Sequence, residues 1–154
     1  MKDNAQQVNN ITADMRLTPH FTLSEMTASG TAIKEKIDNR PSQQQILNLQ
    51  ALCENILEPV RRHFGRTLIS SGYRSEALNK AVGGVSNSQH LLGEAADIHC
   101  SSVEEARRRF GFIRDNCDFD QLLLERKLNI GTCWLHVSYT CRRANRHDAR
   151  FLCV

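Results

Sequence analysis

Ser88-Gln89-His90-Leu91-Leu92-Gly93-Glu94-Ala95-Ala96-Asp97-Ile98-His99 passes from a polar approach, through a glycine, into a mostly apolar run. Ala95 to His99 reads as a strand, and alternation puts Asp97 and His99 on one face of it. His90 stands seven residues before Asp97, on the loop that leads in. Just upstream, Thr67-Leu68-Ile69-Ser70 reads as a short strand entering the turn-like Ser71-Gly72-Tyr73-Arg74. A brief helix is expected from Ser75 to about Val82, broken by Gly83-Gly84.

Upstream of this segment, the strongest helix starts after Ser42, which can cap it with Gln45 at the reciprocal position. Ile46, Leu49, Leu52, Cys53, Ile56, Val60 and Phe64 recur on one face, as a core-packing stripe does. Pro59 removes a backbone donor and should kink or interrupt this helix, and Gly65 gives a stop. Ser102 and Glu105 suggest a second capping box, before a helix that buries Val103, Ala106, Phe110 and Ile113. Two more strands are expected near Phe119–Glu125 and Cys133–Tyr139, joined through Asn129 and Gly131. The tail from Arg142 to Arg150 is expected to pack around the outside, its four arginines and His147 forming a solvated face or an anion contact. Phe21 to Met26 reads as extended chain followed by one helical turn. The aggregate is an α+β fold: a small, mainly antiparallel sheet packed with helices. Residues 1–16 read as a flexible or surface arm, and 17–154 as a single domain with a basic tail.

The chain has 154 residues, of which 40% are hydrophobic and 24% charged, so it can build one core and is not broadly disordered. Its formal charge of +3 demands neither nucleic acid nor membrane as a partner. Arg61/Arg62, Arg107–Arg109 and the tail are discontinuous basic clusters with acidic helix neighbours, and we expect no nucleic-acid partner. The polar start reads as lacking a signal peptide, and no run is long enough for stable membrane insertion. A cytoplasmic product is the simplest expectation. Cys53, Cys100, Cys117, Cys133, Cys141 and Cys153 form no CxxC or Cys/His knuckle, so reduced packing thiols are expected rather than a disulfide scaffold.

Chemistry concentrates at His90, Asp97, His99 and His136. Two imidazoles and one carboxylate could hold zinc tetrahedrally and leave a fourth position for water. A helical His-Glu-x-x-His arrangement is absent, which excludes the helix-based zinc protease pattern. On the residues alone, His136 could instead be a hydrogen-bonded strand histidine, Asp97 a turn cap or arginine partner, and His99 a replacement ligand or an orienting group.

Ser71-Gly72-Tyr73-Arg74, Ser88 to Ile98 and Trp134-Leu135-His136-Val137-Ser138 together resemble the M15 class of zinc D-alanyl-D-alanine carboxypeptidases and phage endolysin peptidases, from roughly Phe21 to Tyr139. The resemblance implies that His90, Asp97 and His136 ligate Zn2+, and that the fold is D-Ala-D-Ala carboxypeptidase-like. It gives Arg74 a role in orienting a peptide carboxylate or the catalytic network, for which a guanidinium fork is suited. Tyr73, Ser88 and Trp134 become candidate substrate contacts.

One departure concerns the catalytic base. Some relatives place an acid three residues before the final histidine ligand, where this chain has Cys133. Glu125, at the end of Asp120-Gln121-Leu122-Leu123-Leu124-Glu125, is the best replacement if the two late strands form a hairpin. The expected reaction is zinc-dependent hydrolysis of peptidoglycan stem or crossbridge peptides, by carboxypeptidase or endopeptidase action. The alternative is a noncatalytic cell-wall binding or virion structural module retaining the peptidase fold. A phage-type enzyme would accumulate in the cytoplasm and reach the wall after membrane permeabilisation.

Overall fold

The computed structural model describes residues 15–127 and 130–153. The expected arm, residues 1–16, lies outside the described residues except for its last two. Arg16 belongs to a strand, β1 (Arg16–Thr18), which pairs antiparallel with β2 (Phe21–Thr22). Helix α1 (Leu23–Thr27) follows, capped by the Thr22 side chain, then α2 (Gly30–Glu35), capped by Ser29.

Ser42 and Gln45 form the expected reciprocal cap on α3 (Gln43–Leu52). The helix does not break at Pro59. Instead a π-helical segment, Cys53–Leu57, widens the spiral just ahead of it, and α4 (Glu58–Phe64) continues with the proline in its first turn. The Glu58 amide bonds to the Cys53 carbonyl five residues back, so the missing proline donor falls where the regular ladder is already interrupted. The apolar stripe stays buried throughout, with Leu49, Leu52, Ile56 and Val60 fully enclosed.

The main sheet has the order β3-β4-β6-β5-β7. Its strands are β3 (Ile69–Ser71), β4 (Ala95–Cys100), β5 (Gln121–Arg126), β6 (Cys133–Ser138) and β7 (Asp148–Cys153). β3, β4, β6 and β5 pair antiparallel, while β7 lies parallel to β5. The tail thus corrects one expectation: its end forms a sheet strand instead of an outer wrapping. Between the strands lie α5 (Glu76–Ala81), capped by Ser75, a 3-10 turn (Gln89–Leu92), and α6 (Val103–Asn116), capped by Ser102. The reciprocal half of that last cap is shifted by one residue, because Glu105 accepts from the Ser101 amide and not from Ser102. Asn129 lies outside the described residues, but Lys127 and Thr132 close the hairpin around it.

Strand alternation divides the sheet into two chemically different faces. Ala96, Ile98 and Cys100 of β4, Cys133, Leu135 and Val137 of β6, and Leu122 and Leu124 of β5 join one buried cluster with α3, α4 and α6. Each fully buried leucine or isoleucine there contributes ~1.5–3 kcal/mol relative to exposure. The opposite face carries Asp97, His136, Trp134 and Glu125. No helix among the described residues is long and apolar enough to cross a membrane.

Candidate metal centre and active-site cavity

The sheet register assembles the polar face in rows. Asp97 of β4 pairs with His136 of β6, and His136 pairs with Leu123 of β5. One row along, His99, Trp134 and Glu125 stand side by side. Directly opposite residues on antiparallel strands project to the same side. Two strands distant in sequence therefore deliver a carboxylate and an imidazole to one spot.

His90 reaches that spot from the 3-10 turn, whose start is capped when Ser88 Oγ accepts from the His90 amide at 3.2 Å. Gly93 ends the turn at φ 73°, a left-handed conformation suited to glycine. The His90 ring is nearly enclosed, and its Nδ1 lies 2.7 Å from the Gly72 carbonyl. A carbonyl only accepts, so Nδ1 donates to it, and Nε2 is the nitrogen that faces Asp97. Gly72 is itself required: a Cβ there would strike the Met26 carbonyl, against which the turn packs through the Tyr73 amide.

Asp97 Oδ1 lies 3.0 Å from His136 Nδ1 and 3.4 Å from His90 Nε2. The three groups offer ligand atoms all within 4.8 Å of one another. Four zinc ligands at about 2.0–2.1 Å in a tetrahedron stand roughly 3.3 Å apart, so this donor set fits the metal in type and in spacing. The Gly72 bond fixes the His90 ring as an outer contact would fix a histidine that held a metal. Burial works to raise the Asp97 pKa, but hydrogen bonds to His136 and His90 outweigh it and hold the carboxyl below its ordinary value.

Arg74 borders the same centre. Its Nε donates to Ser71 Oγ at 3.1 Å, one terminal nitrogen donates to Asn79 Oδ1 at 3.3 Å, and the other lies 3.6 Å from Asp97 Oδ2. Glu125 is half-buried. Desolvation is the main cause that pushes its pKa above the ordinary carboxyl value, with the nearby Asp97 charge adding to it. His136, His90 and a hydrogen bond from Trp134 pull the other way without reversing the shift.

A cavity of about 750 Å³ opens over this face. His90, Asp97, His136, Arg74, Ser88, Trp134 and Glu125 all line it. Tyr73 does not: it is 7% exposed, packs in the core, and its phenol bonds to Gln45. The turn that aims Arg74 at the cavity turns its neighbour inward. His99, the other open candidate, is exposed beside Trp134 and stays outside the three-residue cluster. Cys133 projects to the opposite face, where its Sγ meets the Ser102 carbonyl at 3.4 Å.

Sequence reasoning did not place Gln121, Leu123 or the tail arginines Arg142, Arg143 and Arg146 on the cavity wall. The excess of arginine after Tyr139 was the one visible signal. Its buried partners, Glu94 and Asp120, lie 48 and 23 residues away from Arg142 and Arg143, too far apart to pair on sequence alone. Among curated proteins, none matches the chain. The family described as peptidase M15 matches residues 19–138, which takes in the Arg74 turn, the His90–Asp97 segment, Glu125 and the strand of His136, and the chain belongs to that peptidase family.

Proposed function

We propose that this protein is a zinc-dependent peptidase that hydrolyses peptide bonds in peptidoglycan stem or crossbridge peptides. The observation that carries the reading is the convergence of His90, Asp97 and His136 at ligand spacing beneath the cavity, with Glu125 on the same sheet face. His90 through Nε2, Asp97 through its carboxylate and His136 through Nδ1 would hold the ion. Bound there, zinc supplies Lewis acidity and lowers the proton affinity of a coordinated water.

The chain's own groups do the rest. Glu125 accepts a proton at its carboxylate from the attacking water and returns it to the departing amine. A carboxyl raised by burial suits both halves of that transfer. Trp134 donates to Glu125 and keeps it turned toward the cavity. Arg74, held by Ser71 and Asn79, presents its remaining donors to a substrate carbonyl or carboxylate. Cys133 faces the core, and among the described residues lining the cavity Glu125 is the acid outside the proposed ligand set, which supports it as the base. This favours catalysis over a noncatalytic cell-wall module. Release from the cytoplasm after membrane permeabilisation is the delivery route that this reading carries with it.

Zinc analysis coupled to mass spectrometry of digested peptidoglycan fragments tests metal, hydrolysis and bond position together. Glu125→Gln is expected to lower kcat at least about a hundredfold with zinc and peptide still bound. Full activity in that variant would remove Glu125 from the role. Stoichiometric zinc retained in the double variant His90→Ala/His136→Ala would reject the coordination set.

A further inference from the structure

The cavity wall on the Gln121 side is built from Arg142, Arg143 and Arg146, which lie beyond the segment matched to the family. Each guanidinium is anchored from behind by a buried carboxylate. Arg142 grips Glu94 through two bonds of 2.8 Å. Arg143 and Arg146 both clasp Asp120, at 2.6 and 3.1 Å for Arg143 and at 3.1 and 2.9 Å for Arg146. The acids are sealed, at 1% and 0% side-chain exposure, while the arginine side chains are 41–54% exposed. Rigid cationic heads therefore face outward with their side-chain entropy already spent, as anion recognition requires.

The charges do not cancel. Glu94 and Arg142 make a neutral pair, whereas one Asp120 carboxylate stands against two arginines and leaves a surplus positive charge. The Asp148 charge also reaches Arg146, but Asp148 is engaged by Arg150 and Gln121, and Asp118 by His147. Asp120 takes the Nε and NH2 edge of Arg146, so NH1 is on the side away from it.

Position gives the cluster a register. Leu123 marks the row of His136, Gln121 lies two residues back along β5, and Asp120 one further. At about 3.3 Å per residue, Gln121 and Asp120, the anchor of the two arginines, lie ~7–10 Å along the chain from the metal row. Glu125 stands two residues away in the opposite direction. An extended peptide whose reacting carbonyl sits at the metal row thus places a group two to three residues away against the arginines.

We propose that Arg143 and Arg146, held by Asp120, form a carboxylate-binding subsite that selects peptides carrying a free carboxylate two to three residues from the scissile bond. The proposal rests on the peptidase reading of the cavity. The test uses the full chain as Glu125→Gln, so that the peptide is bound and not cleaved, with fluorescence of the single tryptophan, Trp134, as readout. The probe is L-Ala-D-γ-Glu-L-Lys-D-Ala-D-Ala with the D-glutamyl α-carboxylate either free or amidated.

Amidation is expected to weaken binding roughly tenfold or more, as loss of a hydrogen-bonded charge does. Adding Arg143→Gln or Arg146→Gln should reduce that preference to less than about twofold, with denaturant unfolding of each variant reporting that the fold persists. Arg108→Gln, on the exposed side of α6, should change neither affinity. Equal binding of the two peptides by Glu125→Gln alone overturns the subsite, whatever the tail variants do. Cleavage of peptidoglycan without carboxylate preference sinks the subsite only. Carboxylate preference in a zinc-loaded protein that cleaves no peptidoglycan fragment sinks the peptidase reading and leaves the subsite standing.

Discussion

Arg74 is held on three sides, by Ser71, Asn79 and Asp97, and this makes its planar fork and not merely its charge the relevant property. Lysine cannot reproduce those directions. Arg74→Lys is expected to lower kcat/KM about ten- to hundredfold while retaining zinc, measured by peptide hydrolysis and metal content. The cysteines make a separate residue-scale case. Cys53, Cys100 and Cys133 are buried free thiols, and burial pushes the Cys100 thiol up to about 12. At pH 8 these groups remain protonated and poorly nucleophilic. Native alkylation followed by peptide mapping should label exposed Cys141 first, and Cys53 and Cys100 only after unfolding. Rapid native labelling of Cys100 would contradict the packing role.

The 3-10 turn of Gln89–Leu92 is the element on which the site depends most. It is pinned by Ser88 at one end, by Gly93 at the other, and by Gln45 and Asn48 of α3 donating to the Leu91 and Leu92 carbonyls. A Cβ on Gly93 would sit 2.5 Å from the Gln45 carbonyl, on a backbone that already disfavours side chains. Gly93→Ala should cost ~1–2 kcal/mol from the backbone alone, more from the collision, and should weaken zinc binding by displacing His90. Denaturant unfolding and zinc titration check both parts. At this scale much was legible. The Ser42–Gln45 cap and the glycine breaks are local chemistry, readable from adjacent residues. The π segment was not, because whether a helix ends at Pro59 or absorbs it depends on burial of the stripe on both sides, where Ile56 and Val60 are held in the same core.

Across the whole molecule, the tail is fastened by two buried carboxylates. Burial works to raise the Glu94 pKa, but hydrogen bonds from Arg142, Gln89 and Thr140 outweigh it, so its folded pKa falls below 4.5. Asp120 is shifted in the same direction by Arg143 and Arg146, again against desolvation. A depressed carboxyl stabilises the fold above its unfolded pKa, and that stability is lost as pH falls through the folded value. Stability should therefore decline below about pH 4.5. Glu94→Gln should flatten that acid limb while costing about 2 kcal/mol at neutral pH, measured by denaturant unfolding across pH. An unchanged acid limb would show that the tail clamp is not coupled to folding.

Local pattern was enough for the class of fold and the serine N-caps of the main helices, and the motifs that resemble the M15 class were enough to nominate His90, Asp97 and His136 as ligands, because alternation and ordered motifs are properties of neighbouring residues. Even the expectation that Glu125 would face the same side as His136 followed from alternation once the hairpin was assumed. Packing across the sheet supplied the rest. Register set Asp97 beside His136 and Glu125 beside Trp134, and it turned Tyr73 into the core. It also drew the arginines of the tail onto Glu94 and Asp120 and so onto the cavity wall. These are pairings across tens of residues, fixed by which buried charge needs a partner and which strand edge is open, and no local pattern encodes that choice.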